Sequence, residues 1–294
     1  MKALVTGGTG LVGRYIVETL IEAGYEVVGS GRTKPAEGLF SQPVEFRPAQ
    51  LDPNWKPGAL FAGIDVCIHA AFEHLPGRYR GGEGDDPDGF RRSNLEGTVS
   101  LFNAARRTGI RHVVFLSSRA VYDSVPPGTP LTEDLTLQPT SLYGEIKLAG
   151  EQALAAMNAP EFITSSLRLT GVYGDLRPNK WDTLFADYLS GRPVPVRAGS
   201  EVHGRDVGQA VRLMLETEPD HIGGQAFNVS DLVADTRDLL EALHLNNPGS
   251  PPLPLAADKS GVAEMDTSKI RRLGWMPGGW PLLRKTTAAL SPTQ

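Results

Sequence analysis

Cysteine is almost missing from this chain of 294 residues: Cys67 stands alone, so no disulfide can form within it. A lone thiol points to a reducing compartment and a cytoplasmic address. A basic surplus is missing too, with 29 Lys and Arg against 34 Asp and Glu and a formal net charge of −5. Nucleic-acid binders carry such a surplus or patch, so nucleic acid is set aside as a partner. No apolar run approaches the ~20 residues of a membrane-spanning helix. The opening Lys2-Ala3-Leu4-Val5-Thr6 lacks the basic head and long apolar body of a secretion signal. The six His residues show no pairing with Cys or acids at metal-site spacing, so no metal is expected. Repeats and low-complexity tracts are absent as well.

The hydrophobic share, 40%, is enough for a real core. At ~100–200 residues per domain, the length suits one large domain carrying a smaller lobe. Short apolar runs predict strands at Ala3–Thr6, Glu26–Gly29, Val44–Arg47, Val66–Ala70, His112–Ser117 and Ile163–Arg168. Between them, helical patterns cover Val12–Ala23, Phe90–Arg107 and Leu142–Met157. Strands alternating with helices imply right-handed βαβ units and a doubly wound parallel α/β sheet over residues 1–168. Beyond Arg168 the pattern loosens into Pro- and Gly-rich pieces, with helices expected at Val207–Leu215 and Leu239–Leu245. Residues 169–294 are read as a small substrate lobe that partly returns to the first domain.

Gly7, Gly10 and Gly13 sit three apart in Thr6-Gly7-Gly8-Thr9-Gly10-Leu11-Val12-Gly13, after a strand and at the start of a helix. A tight turn, close backbone approach to a pyrophosphate and close helix–strand packing each need a missing side chain. That setting marks a dinucleotide site. Tyr143 and Lys147, four apart, share a helix face. A cation beside a phenol favours the phenolate, which suits proton transfer to or from a carbonyl or hydroxyl; most such pairs are ordinary surface pairs. Ser117 and Ser118 end the fifth predicted strand, where open α/β sheets bind ligands. A helix cap or turn is the plainer role for such serines.

Together these residues resemble the extended short-chain dehydrogenase/reductases, also called the NAD-dependent epimerase/dehydratase family. The likeness runs from Lys2 to about Pro277. It rests on the glycine loop, on Asp65-Val66-Cys67-Ile68-His69-Ala70-Ala71, on Asn94-Leu95-Glu96-Gly97-Thr98 and on Arg168-Leu169-Thr170-Gly171-Val172-Tyr173-Gly174. Val202-His203-Gly204-Arg205-Asp206-Val207, and Asp266-Thr267-Ser268-Lys269 with Leu273-Gly274-Trp275, carry it through the second half. The resemblance implies a Rossmann fold with Tyr143 as general acid/base and Lys147 on the nicotinamide ribose. Ser118 would hold the substrate oxygen, with Ser117 as fallback, and Asn94 would support the site. Cofactor-binding residues are then Gly7, Thr9, Gly10, Leu11, Val12, Gly13, Arg32, Leu51, Ala70 and Ala71, with Tyr143 and Lys147. A homodimer through the family's helical interface is an option.

The chain also departs from the family pattern. Arg119-Ala120 stands where the nucleotide-sugar dehydratases carry an Asp-Glu pair, so elimination of water is set aside. Arg119 is a candidate for a substrate anion or for a structural ion pair, and Phe72 and Tyr173 are candidate substrate contacts. The stretch from Asp175 to Glu201 is short, which favours a substrate without a nucleotide. Residues 72–92, with His74 and Arg78-Tyr79-Arg80-Gly81-Gly82, read as a lid or as a plain surface loop. Where a carboxylate usually ends the second strand of an NAD site stands Gly31, followed by Arg32, which favours NADP, with NAD the other option. The expected activity is NAD(P)-dependent oxidoreduction at a secondary alcohol or carbonyl of a small sugar, sugar acid or related molecule. A nucleotide-sugar 4-epimerase with tightly held NAD, and a non-catalytic NADP-binding sensor or scaffold, are the alternatives.

Overall fold

The computed structural model describes residues 1–75 and 82–291. Strand β1 (Lys2–Thr6) is apolar and buried, as a central parallel strand is. Through the glycine loop it leads into helix α1 (Leu11–Glu22), which buries Ile16, Val17 and Leu20. β2 (Glu26–Gly31), β3 (Glu45–Pro48) and β4 (Val66–His69) follow. The next helix starts earlier than the sequence predicts, because Asp86 caps it by accepting the Gly89 N–H at 2.9 Å. It runs as α2 (Pro87–Arg91), a π-helical turn at Arg92–Gly97 and α3 (Thr98–Arg107). Then come β5 (His112–Ser118), α4 (Leu142–Ala155), capped by Ser141, and β6 (Ile163–Leu169).

The second half comprises β7 (Gly171–Tyr173), α5 (Asp182–Leu189), β8 (Ala198–His203), α6 (Gly204–Glu216), α7 (Pro219–Ile222) and β9 (Gln225–Val229). It ends with β10 (Leu232–Asp235), α8 (Thr236–Asn246), α9 (Ser268–Arg272) and α10 (Gly279–Leu290).

Among the described residues seven parallel strands form the main sheet, in the order β3-β2-β1-β4-β5-β6-β9. The order reverses between β1 and β4, and ligands of open α/β sheets bind in that crevice. The chain does not divide cleanly at residue 168. β9 returns as the seventh strand, while β7, β8 and β10 form a separate small sheet. Around that sheet Tyr173, Trp181, Phe185, Tyr188, Leu240 and Leu283 make their own core. The pattern loosens after Arg168 because the chain serves two cores in turn.

Tyr15 of α1 joins the halves. Its hydroxyl donates to Asp175 at 3.0 Å and accepts the Leu176 N–H at 2.8 Å. Its ring fills space left by Gly174 and Gly204, where a Cβ would fall 2.0 and 2.1 Å from the tyrosine. Gly204→Ala is therefore expected to cost ~1–3 kcal/mol, the range for overpacking a buried site. Gly199→Ala on β8, where an added Cβ meets nothing within 4 Å, is expected to stay within ~0.5 kcal/mol of wild type. Urea midpoints of the two variants, at unchanged m, measure the contrast; equal midpoints would count against the Tyr15 wedge.

Candidate active site

The crevice at the end of β1 is a groove of about 270 Å³. Gly7 has φ +69°, a left-handed conformation that glycine adopts without strain. A Cβ on Gly7 would stand 2.7 Å from the Ala71 nitrogen, and one on Gly13 would stand 2.1 Å from the Gly7 oxygen. The first helical hydrogen bond of α1 runs from Arg14 N–H to Gly10 O, 3.0 Å, and no side chain caps the helix. The N–H groups of Leu11, Val12 and Gly13 are thus left for an anion. This cradle fits a dinucleotide pyrophosphate. Every residue of the expected glycine-loop set lines the groove, and Arg32, Leu51, Ala70, Ala71 and Phe72 line it too.

Tyr143 and Lys147 reach the groove through Phe72. The Phe72 ring meets the Tyr143 ring edge-on at 5.0 Å, and the Lys147 Nζ lies 4.5 Å from its centroid. Lys147 is buried, and its Nζ donates to the Leu116 carbonyl at 2.8 Å. Burial pushes its amine down to about 7, with Glu151, one turn on, pulling the other way. The ammonium also lies 5.9 Å from the centre of the Tyr143 ring. An amine and a phenol are thus held together beside the dinucleotide groove, the arrangement that proton transfer to or from a bound carbonyl needs.

Ser118 ends β5, and its Oγ accepts the Ala120 N–H at 3.2 Å. Ser117 Oγ is buried with no hydrogen-bond partner. Asn94, in the π-helical turn, clamps the backbone of Glu73 with its side chain, taking the N–H at 2.7 Å and donating to the carbonyl at 2.8 Å. Arg119 Nη2 donates to the Ala263 carbonyl at 2.8 Å, tying the turn after β5 to the C-terminal segment. Tyr173, expected at the substrate, is fully buried against Trp181 and His203, with ring centroids 5.2 and 5.0 Å away. On β7, paired with β8, that ring belongs to the lobe's own core and is not among the residues lining the groove. Of the lid candidate, Arg78, Tyr79, Arg80 and Gly81 lie outside the described residues.

Two residues at the groove, His69 beneath it and Glu73 in its wall, are given no role by the sequence motifs. His69 is fully buried, bonded to Thr6 Oγ1 at 2.7 Å and Thr98 Oγ1 at 3.0 Å, and burial pushes its imidazole down to about 3. That neutral ring ties β1, β4 and α3 together. Glu73 pairs with Arg32 across the groove at 2.9 Å. The signal that could have found Glu73 is its place just past the end of the strand that flanks β1 opposite β2. Among the described residues no cluster of His, Cys, Asp or Glu could hold a metal, and no helix is long and apolar enough to cross a membrane.

The model of the NAD-dependent epimerase/dehydratase family matches residues 3–230. A UDP-glucose 4-epimerase of Mycolicibacterium smegmatis is 31% identical over 94% of this chain and 94% of its own. The fold superposes on the Thermus thermophilus UDP-glucose 4-epimerase in complex with NAD at a TM-score of 0.79, with 25% identity and 98% of each chain covered. The UDP-glucose 4-epimerase of Thermotoga maritima, crystallised with UDP-glucose, gives 0.78 at 21% identity and the same coverage, a likeness of fold.

The buried Lys147 has a consequence for stability. Unfolded, this amine titrates near 10.5; folded, it titrates near 7. Between those values the unfolded chain holds a proton that the folded chain has released, so this group makes stability rise with pH. Below about 7 the burial cost is carried in full; above 10.5 it vanishes. Lys147→Met is expected to remove up to ~1.4 kcal/mol per pH unit of that slope, one proton's worth. Urea unfolding of both proteins from pH 7 to 9 checks this, and parallel pH dependences would count against a depressed amine.

Proposed function

The chain belongs to the NAD-dependent epimerase/dehydratase family, as an enzyme of the extended short-chain dehydrogenase/reductase type, and we propose that it interconverts the C4 epimers of a UDP-linked hexose. The observation that carries this reading is the Tyr143–Lys147 pair beside a dinucleotide cradle, with no acid after Ser118 to drive elimination.

When bound, the dinucleotide supplies the acceptor and the donor of hydride. The N–H groups of Leu11, Val12 and Gly13 hold its pyrophosphate, and the buried Lys147 serves its ribose, as the family resemblance implies. Tyr143 removes the proton of the C4 hydroxyl as that carbon is oxidised. It returns the proton to the same oxygen when the carbon is reduced on its other face. Lys147 keeps a positive charge near the phenol, which lowers the cost of the phenolate. Ser118 bonds the C4 oxygen. The two transfers cancel, so nothing is consumed.

A small substrate without a nucleotide, expected from the short stretch between Asp175 and Glu201, fits the relatives less well. The epimerase crystallised with UDP-glucose is covered over 98% of its length by 98% of this chain, so its lobe has no large insertion that this one lacks. The full-length sequence likeness to a UDP-glucose 4-epimerase supports the same substrate class. Of the two dinucleotides we take NAD, which the Thermus relative holds, over the NADP that the basic end of β2 alone would favour.

Purified enzyme should convert UDP-glucose to UDP-galactose with no added cofactor and no lasting change at the nicotinamide absorbance band. Tyr143→Phe should lower turnover by ~10²-fold or more, the loss expected for a general acid/base, while dinucleotide binding persists. Steady accumulation of reduced cofactor, dependent on added NAD(P), would replace epimerisation with net oxidoreduction.

A further inference from the structure

β2 ends without a carboxylate, yet a carboxylate reaches that end of the groove from the other side of β1. Glu73, just past β4, holds Arg32 Nη1 at 2.9 Å. Both residues line the dinucleotide groove, and both also line an adjoining polar cavity with Gln50, Asp52 and Arg92. The pair therefore stands as a partition between the two spaces. It contributes little to the fold, since the Arg32 side chain is 71% exposed and that of Glu73 is 43% exposed. Its anchoring is out of proportion to that small contribution. Asn94, 2% exposed, spends its whole amide on the Glu73 backbone and the Phe90 carbonyl. The π-helical turn that carries Asn94 is a departure from regular helix of the kind frequent at functional sites. The root of the carboxylate is thus fixed, and the arginine is the partner able to swing.

We propose that Glu73, held by Asn94, is the residue that sets the choice of dinucleotide. Its carboxylate stands in for the acid missing from β2. It accepts hydrogen bonds from ribose hydroxyls, repels a 2′-phosphate and keeps the Arg32 charge engaged, so the site takes NAD. With the carboxylate neutralised, Arg32 is released toward a phosphate, with Arg92, which also lines the adjoining cavity, as a second cation. This rests on NAD as the proposed cofactor and deepens that reading.

The test uses fragments that carry the adenosine end alone, ADP and adenosine 2′,5′-bisphosphate, titrated calorimetrically at one fixed salt concentration. Wild type is expected to bind ADP more tightly. Glu73→Gln keeps an oxygen acceptor for the ribose hydroxyls and loses the charge, so ADP should still bind measurably, and an unchanged far-UV circular dichroism spectrum reports that the variant is folded. Its relative affinity for the 2′-phosphorylated fragment should rise at least ~10-fold, the lower end for one charge-assisted contact. Arg32→Ala in the Glu73→Gln background should abolish that gain. An unchanged fragment ratio in Glu73→Gln, or a gain that survives Arg32→Ala, overturns the role of Glu73. Tighter binding of the 2′-phosphorylated fragment by wild type overturns the NAD reading with it. Because neither fragment reaches Tyr143, failure to epimerise UDP-glucose would leave these outcomes standing, and their failure would leave the proposed reaction standing.

Discussion

Gly7 lies with its Cα against the backbone of Ala70 and Ala71, so close that a methyl group there would fall 2.7 Å from the Ala71 nitrogen. On its other side the start of α1 presses Gly13 onto the Gly7 carbonyl. These backbone contacts draw the ends of β1 and β4 together and aim the first turn of α1 across the gap. The groove is what remains between them. His69 then locks the arrangement from below, one ring nitrogen toward Thr6 and the other toward Thr98. It does so as a neutral imidazole, because full burial penalises its charged form and the nearby Lys147 amine adds to that penalty. The groove's width, its anion-binding amides and the position of Phe72 all descend from an approach that any side chain on Gly7 or Gly13 would prevent.

Lys147 is the costly element of the site. A buried ammonium needs compensation, and the nearest carboxylate, Glu151, is already committed to Arg168, with N–O distances of 2.8 to 3.1 Å. That pair is itself buried and tied through Arg168 Nη1 to the Tyr122 hydroxyl at 2.7 Å. Lys147 is left with the Leu116 carbonyl and the faces of Phe72 and Phe115. Such partners hold an ammonium in place without fully stabilising its charge, so the amine titrates near neutrality. An amine in that condition has most to gain from further hydrogen-bond acceptors, which ribose hydroxyls would supply in the proposed role of Lys147. In that role the same incomplete compensation that weakens the free protein would favour the loaded one.

What could be read from the sequence was what is local. The six predicted strands correspond to β1–β6 within about two residues at each end, because each is a short apolar run between turn signals. The glycine loop and the Tyr143–Lys147 spacing are local as well. The doubly wound architecture follows from the alternation of these elements, and the family from their motifs taken together. The ion pair of Arg32 with Glu73 joins residues 41 apart, Asn94 reaches Glu73 across 21, and Tyr15 finds Asp175 across 160. No periodicity announces such contacts. Strand β2 ends on Gly31 where an NAD site usually carries a carboxylate, and Glu73 comes to that end of the groove from just past β4.

The size of the C-terminal lobe shows the same limit in another form. Counting residues from Asp175 to Glu201 measures one connection, the one that carries α5 from β7 to β8. The lobe is not built from that connection alone. Its core takes Tyr173 from β7, Trp181 and Phe185 around α5, Leu232 and Ala234 from β10, Leu239, Leu240 and Leu243 from α8, and Leu283 and Leu290 from α10. Between these pieces the chain leaves to supply α6, α7 and β9 to the main sheet and then comes back. Room for a ligand depends on how such layers meet, and layers contributed from residue 171 to residue 290 can frame a space that no single short segment encloses. A brief β7–β8 connection is therefore compatible with a nucleotide-bearing substrate.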